Sequence, residues 1–341
     1  MNALNRRLLP CAALLASLMA STSAHAVWTF DTSTVSNLAN CTTNGSGVAN
    51  SCTTASSTNK VDSTTLSLAG FAVNNTLTST SIGGTSYATT NTVNAASKWA
   101  SFALNSYSGG QGVNGDGSGT APNHATDNNG KTEAILLSFS SSIALTSLGA
   151  GYTASAYCSR NTGTSTSLPT TVFPTTGDVC PTGYTRRTTQ TDGTSGVDVS
   201  LFRWVGDGTP TGTKALTNTT AGTMTGWQLV GNYGDIAYDT TNPYNLVNST
   251  GLTSSYWLVS AYNSGFAPTG GITESRGGLT NGDDYFKLFA AAGTTCATNL
   301  TNGKCGGSNS SVPEPASLAL TSVALLSVAG LRRRSKSKLA A

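Results

Sequence analysis

The chain has 341 residues, with 18 Lys+Arg, 15 Asp+Glu, 2 His and a formal charge of +3. Seven cations lie at the ends (Arg6, Arg7, Arg332, Arg333, Arg334, Lys336, Lys338), whereas all 15 carboxylates lie between Val27 and Glu314. The region between the ends therefore sets 11 cations against 15 carboxylates, a net charge of −4. That excludes the electrostatic footprint of a nucleic-acid binder.

Charged residues make up 10% of the chain, against ~25% in an ordinary globular domain. Ser, Thr, Gly and Asn dominate instead, which suits an extracellular β protein with hydroxyls on its solvent face. Five tryptophans and several alternating apolar runs argue against disorder.

The chain opens with Arg6-Arg7, an apolar stretch from Leu8 to Met19, and Ala24-His25-Ala26. This is the pattern of a secretory signal peptide, handled by the Sec machinery and signal peptidase, with cleavage before Val27. The apolar centre is too short to cross roughly 30 Å of hydrocarbon. Cys11 follows Leu8-Leu9-Pro10 too early for a lipoprotein cysteine.

The rest predicts one β-rich domain over 27–305. Candidate strands are Val27 to Phe30, Thr65 to Leu68, Gly70 to Val73 and Lys98 to Phe102. A long Gly/Asn/Asp stretch follows. Glu133 to Phe139 and Ile143 to Tyr152 then read as a hairpin turned at Ser140-Ser141-Ser142. Val197 to Trp204 alternates, with Val197, Val199 and Leu201 on one face. Gly226 to Val230, Ser255 to Ala261 and Asp284 to Phe289 complete the set. Many short strands between turn residues, without a 3.6-residue period, predict an all-β fold of sandwich or jelly-roll type with a single hydrophobic helix at the C-terminus.

Six cysteines remain after the signal: Cys41, Cys52, Cys158, Cys180, Cys296 and Cys305. An even number in an exported chain predicts disulfides, with fifteen connectivities open. The residues fall into three close pairs, so neighbour pairing (41–52, 158–180, 296–305) is expected. A zinc site lacks any C-x2-C and has only His124 to help.

Few residues point to chemistry. Gly110-Gln111-Gly112-Val113-Asn114-Gly115 spells G-x-G-x-x-G, but more loop follows where a dinucleotide site needs a helix, so a flexible loop is expected. Asp127, Asn128 and Glu133, with Asn129, Asp116, Asp192 and Asp198, are hard oxygen ligands at loop-to-strand boundaries. They are the candidates for a structural calcium, against a reading in which Asp127 and Asn128 close a turn. No other cofactor is expected. His124 lacks a G-x-S-x-G partner or an obvious orienting acid, so no catalytic residue is assigned. Tyr107, Tyr152, Tyr233, Tyr238, Tyr244, Trp257 and Tyr262 sit in or beside Gly/Ser/Asn loops, a composition that grips sugar faces, although most suit core packing.

Residues 306–312 read as linker. Val312-Pro313-Glu314-Pro315 then forbids helix. Ala316 to Leu331 is apolar or small, about 16 residues, and reaches only roughly 24 Å as a helix. Arg332, Arg333, Arg334, Lys336 and Lys338 follow as a basic stop that holds the end in the cytoplasm. Residues 313–338 resemble the PEP-CTERM sorting signal, through Pro313-Glu314-Pro315, the short span and the Arg cluster. The blocks "APNHATDNNGKTEAILLSF", "DVSLFRW", "GWQLVGNY", "SSYWLVSAYN" and "GDDYFKLFAAAG" are similar to a family of exosortase-dependent surface proteins. The resemblance implies recognition by an exosortase, a membrane protease-transpeptidase of Gram-negative bacteria that also make exopolysaccharide. The implied route is the inner membrane, held transiently through 316–331, and then the cell surface or medium. The function expected is a non-catalytic surface or biofilm-matrix protein near exopolysaccharide. The other reading is a polysaccharide-binding or polysaccharide-cleaving module sorted by the same route.

Overall fold

The computed structural model describes residues 26–29, 38–43, 49–54, 64–107, 110–115, 125–174, 180–188, 197–207, 216, 219–238, 244–266, 274–276, 279, 283–295, 300–301 and 304–305. Within them the chain is all-β, and no helical element is present. The strands begin with β1 (Ala26–Thr29), β2 (Leu38–Thr43) and β3 (Ala49–Thr54). A long hairpin follows, β4 (Leu66–Ile82) and β5 (Thr85–Val93). Then come the short β6 (Ala100–Phe102), β7 (Leu104–Tyr107), β8 (Gly110–Val113) and β9 (Thr126–Asp127). The longest strand, β10 (Lys131–Arg160), spans 30 residues. After it run β11 (Thr171–Pro174), β12 (Tyr184–Thr188), β13 (Val197–Trp204) and β14 (Trp227–Ile236). β15 (Tyr244–Leu246), β16 (Ser254–Ala261), β17 (Glu274–Arg276) and β18 (Asp283–Thr295) follow. The two-residue strands β19 (Leu300–Thr301) and β20 (Lys304–Cys305) pair with each other.

Two layers arise from how β10 is shared. Its first part lies between β4 and β16, from Lys131 opposite Asn74 to Phe139 opposite Leu66, and from Ala134 opposite Ser260 to Ser138 opposite Tyr256. β13 extends this layer beyond β16, and β14 beyond β13. The second part of β10 pairs with β18 instead, from Ile143 opposite Thr295 to Ala156 opposite Asp283, and β1 lies on the other side of β18. Two strands and a hairpin turn are thus replaced by one strand that changes layers. Ser140-Ser141-Ser142 contains no Gly or Asn to supply the positive φ that a tight hairpin needs. The chain bends there, with a register jump between Ser138 and Ile143. Ser140 Oγ accepts the Thr65 amide at 2.9 Å at the corner. A strand bent by irregular register is how one strand serves two sheets.

The main core lies between the layers. Leu66, Leu68, Ile135, Leu137, Val199, Leu201, Trp257 and Val259 come from one side, and Trp28, Leu145, Leu148, Phe286 and Leu288 from the other. Each such side chain contributes about 1.5–3 kcal/mol when fully buried. Trp28 is completely buried, meets Phe139 edge-on at 4.8 Å and donates from Nε1 to Thr64 O. The expected cleavage before Val27 therefore leaves a mature chain that begins inside a sheet, with Val27 opposite Ala292.

The two runs expected at 65–68 and 70–73 are one strand, β4. The expected flexible loop at Gly110 is also corrected. Gly110–Val113 form the buried β8, paired with β7 and, at Gln111, with Leu288.

A third small cluster holds the far end of β10, where Cys158, Val172, Tyr184 and Tyr87 pack together. Cys158 and Cys180 form a disulfide, with Cα atoms 5.5 Å apart and a sequence separation of 22. The β2–β3 register places Asn40 and Cys41 opposite Cys52, between the pairs Ala39–Thr53 and Thr42–Ser51. Cys305 lies in β20, and Cys296 lies outside the described residues.

Peptide mapping of the oxidised protein should link Cys158 to Cys180 and Cys41 to Cys52, and leave Cys296 with Cys305. A link such as Cys41 to Cys305 contradicts the neighbour pattern. Replacing both Cys158 and Cys180 by Ala should cost about 3 kcal/mol in denaturant unfolding, from loop-closure entropy alone.

Candidate functional site

Low charge leaves this chain to satisfy its buried backbone with amides, and they converge where β4, β5, β9, β10, β16 and β18 meet. Asn75 Nδ2 donates to Asn91 Oδ1 at 2.7 Å and to Asn128 O at 2.9 Å, and Asn91 Nδ2 donates to the same carbonyl. Asn263 Nδ2 donates to Asn91 O and Thr132 Oγ1, while its Oδ1 accepts the Val93 amide at 2.8 Å. Thr132 Oγ1 completes the ring by donating to Asn75 Oδ1 at 2.8 Å. Asn128 links the two layers: its Nδ2 donates at 2.9 Å to the O of Tyr262, just past β16, and its Oδ1 accepts the Asp284 amide of β18 at 2.8 Å.

The candidate calcium residues Asp127, Asn128 and Glu133 are brought together in this knot, each 1% exposed or less. Glu133 Oε2 accepts the Asp127 amide at 3.1 Å, and Oε1 accepts the Gly115 amide. Its carboxylate therefore ties together the two ends of the segment between Gly115 and Asp127. Asp127 Oδ1 accepts the Asn129 amide at 2.9 Å, the turn-closing role expected of it. Lys131, two residues from Glu133, donates to Gly115 O and lies 4.8 Å over the Phe102 ring. Position 115 takes only glycine, because a Cβ there would lie 2.5 Å from Glu133 Oε1 and 2.8 Å from Ala72 Cβ.

Asp198 and Asp284, both buried, form a second acidic pair, with the Asp198 amide donating to Asp284 Oδ1 at 3.2 Å. Burial pushes the Tyr262 phenol above its ordinary range, and the charges of Asp198 and Asp284 push it further. Among the described residues, no three His, Cys, Asp or Glu side chains gather as a metal-ligand group. His124, Asp116 and Asp192 lie outside the described residues, as do Ala24, Pro313, Glu314, Pro315, Arg332, Arg333 and Arg334.

Of the candidate aromatics, Tyr233 and Trp257 are core residues, the latter donating from Nε1 to Ser254 O at 2.9 Å. Tyr152, Tyr244 and Tyr262 are partly buried, and Tyr238 is 49% exposed. The Tyr107 side chain is not among those described. A different aromatic group lies on the outer face of the first layer: Phe202, Trp204 and Trp227 from β13 and β14, with Trp99 and Phe266 above them. Sequence reading did not find it, because its rings come from four distant segments. The amide knot went unnoticed for the same reason, although Asn75 and Asn91 inside strands were a usable hint, since Asn is depleted there.

Comparison with known protein families, with curated proteins and with solved structures finds no match to this chain.

Glu133→Gln keeps the shape but turns one acceptor oxygen into a donor facing a backbone N–H. It should lower unfolding free energy by about 2 kcal/mol. If protein donors alone satisfy the knot, this loss is the same in excess calcium and in excess chelator. A loss confined to calcium-containing buffer, together with a chelator-dependent fall in wild-type melting temperature, would instead place an ion at Asp127, Asn128 and Glu133.

Proposed function

We propose that the chain is the precursor of an exported surface or extracellular-matrix protein, sorted through its C-terminus by an exosortase and working without catalysis in or near exopolysaccharide. The observation that carries this reading is the order of the last thirty or so residues: linker, Val312-Pro313-Glu314-Pro315, an apolar run over 316–331, and Arg332-Arg333-Arg334. A run of that length holds a bilayer weakly compared with the ~20 residues of a stable span. It is adequate for a tether needed only until the chain is cut. The cations halt translocation with the proline-bounded segment at the outer face. Proline keeps that segment extended, which is the backbone form a protease engages.

The N-terminal signal supports the same route, and the Cys158–Cys180 disulfide suits an oxidising compartment. The low charge and hydroxyl-rich strands favour a neutral, hydrated neighbour such as polysaccharide. The exported form then runs from Val27 to the vicinity of Pro313, with signal peptidase and exosortase as its processing partners.

Two variants separate the roles within the tail. Pro313→Ala with Glu314→Ala should leave full-length protein in the membrane fraction. Replacing Arg332, Arg333 and Arg334 by Asn should let the tail slip through and give uncut protein in the periplasm. Fractionation with immunoblotting reads both outcomes, and wild-type-like release of the Pro313/Glu314 variant contradicts the assignment.

A further inference from the structure

β4 outlasts the strand beside it. β10 begins at Lys131, opposite Asn74, and β4 runs on over residues 75–82. The Asn75 amide still reaches Gly130 O, at 3.4 Å. Beyond it, β5 is the one strand paired with this part of β4 among the described residues, from Asn75 opposite Val93 to Ile82 opposite Thr85. Thr76, Leu77, Thr78 and Ser79 are all exposed, although alternate side chains point to opposite faces. Both faces of the ribbon therefore meet solvent there. A strand with one neighbour also presents N–H and C=O groups along its open side, ready to pair with another chain.

This edge is held in place. At its base Asn75 Nδ2 donates to Asn91 Oδ1 of β5 at 2.7 Å. At its tip Ile82 and Tyr87 pack in the cluster of Cys158 and Val172, and β11 pairs with β5 through Phe173 and Pro174. The one irregularity of the ribbon lies on the inner strand. The register passes from Thr78 opposite Thr90 to Ser79 opposite Ala88, so Thr89 of β5 is the extra residue. Its hydroxyl donates to Thr78 O at 3.1 Å. β4 itself carries no bulge.

The edge also lacks the usual guards. Exposed edges are ordinarily blunted by lysine, proline or a bulge in the edge strand, which stop a second chain adding to the sheet. Residues 63–97 contain no Asp, Glu, Lys, Arg or Pro. The run Thr76-Leu77-Thr78-Ser79-Thr80-Ser81-Ile82 instead favours a strand through its β-branched residues.

We propose that residues 75–82 pair with the same segment of a second copy of this chain, joining two ribbons into one sheet. The occupant follows from symmetry and charge. A two-fold axis perpendicular to the sheet sets the strand antiparallel to its own copy, with each residue opposite one of the same face. Centred on Thr78, it places Thr78 against Thr78 of the second copy, Thr76 against Thr80 and Leu77 against Ser79. All three threonines then meet threonines, pairs whose hydroxyls hydrogen-bond across strands. No like charges meet at the join, and a charged partner finds nothing complementary there. Leu77, 41% exposed in the single chain, gains cover from the added strand. This contact goes beyond the surface-protein reading and does not depend on how the chain is sorted.

Sedimentation equilibrium of the exported protein over a concentration series reads the association. Wild type should show a reversible monomer–dimer equilibrium. T78K and T78E should each weaken it by roughly tenfold or more, because like charges then face each other across the axis. The melting temperature should stay at the wild-type value, since Thr78 is exposed in the single chain. An equimolar mixture of the two variants should recover the dimer, as opposite charges now meet. A wild type that is monomeric throughout, a dimer that both variants leave intact, or a mixture that stays monomeric overturns the proposal. Should a variant fail to fold, hydrogen exchange of wild type decides. Amides within 75–82 should slow as concentration rises, and rates independent of concentration contradict the pairing.

Discussion

The architecture depends on β10 remaining one strand across a corner. It pairs with β4 and mainly β16 before Ser140, with β18 and β15 after it, and with β11 and β12 at its far end. Neither layer can detach without breaking hydrogen bonds to a strand that also belongs to the other. The main core reinforces this, since Ile135 and Leu137 before the corner and Leu145 and Leu148 after it lie in the same cluster. The remaining features sit relative to this strand: Glu133 at its start, the disulfide at its end, and the aromatic cluster on the outer face of the layer it enters first.

At the start of β10, a polar knot is built almost without ions. Asn75, Asn91, Asn128 and Asn263 offer a donor and an acceptor on each side chain, so one residue can bridge segments that have no register with each other, as Asn91 does with Asn128 and Asn263 with Asn91. A carboxylate is used where two backbone N–H groups must be gathered at once, and Glu133 does this. Connected networks of this kind favour a single arrangement, because each misplaced member leaves another unpaired at a low dielectric. That gives the low-charge composition a structural sense: neutral amides perform the cross-links that ion pairs perform elsewhere.

Local patterns were legible in the sequence, and long-range convergence was not. Val197 to Trp204 alternates because one face meets the core and the other lies under the outer cover, so its strand and inward residues follow from spacing. Ser140-Ser141-Ser142 misled, because a polar triplet between apolar runs looks alike whether the chain reverses or bends between layers. Gly110–Val113 misled through composition, as glycine there permits a buried strand as well as a loop. Asp127 and Glu133 were noticed for their oxygens, yet their role depends on Gly115, eighteen residues from Glu133, being brought beside them. Trp99 and Trp227 carry no local signature at all. The proposed sorting motif is legible for the opposite reason: it is linear, and the processing proposed for it needs no fold to assemble it.

The functional account makes the two ends temporary and the body between them permanent. Val27 lies in a sheet directly after the expected signal cleavage, which removes Ala26, opposite Gly293, and leaves the pairs from Val27–Ala292 to Thr29–Ala290. The measurement that bears on this most directly is the intact mass of wild-type protein recovered from the surface or medium. The account predicts a chain that begins at Val27 and ends at or near Pro313-Glu314-Pro315. A surface-recovered chain that still carries Arg332 is a permanently anchored protein and contradicts it.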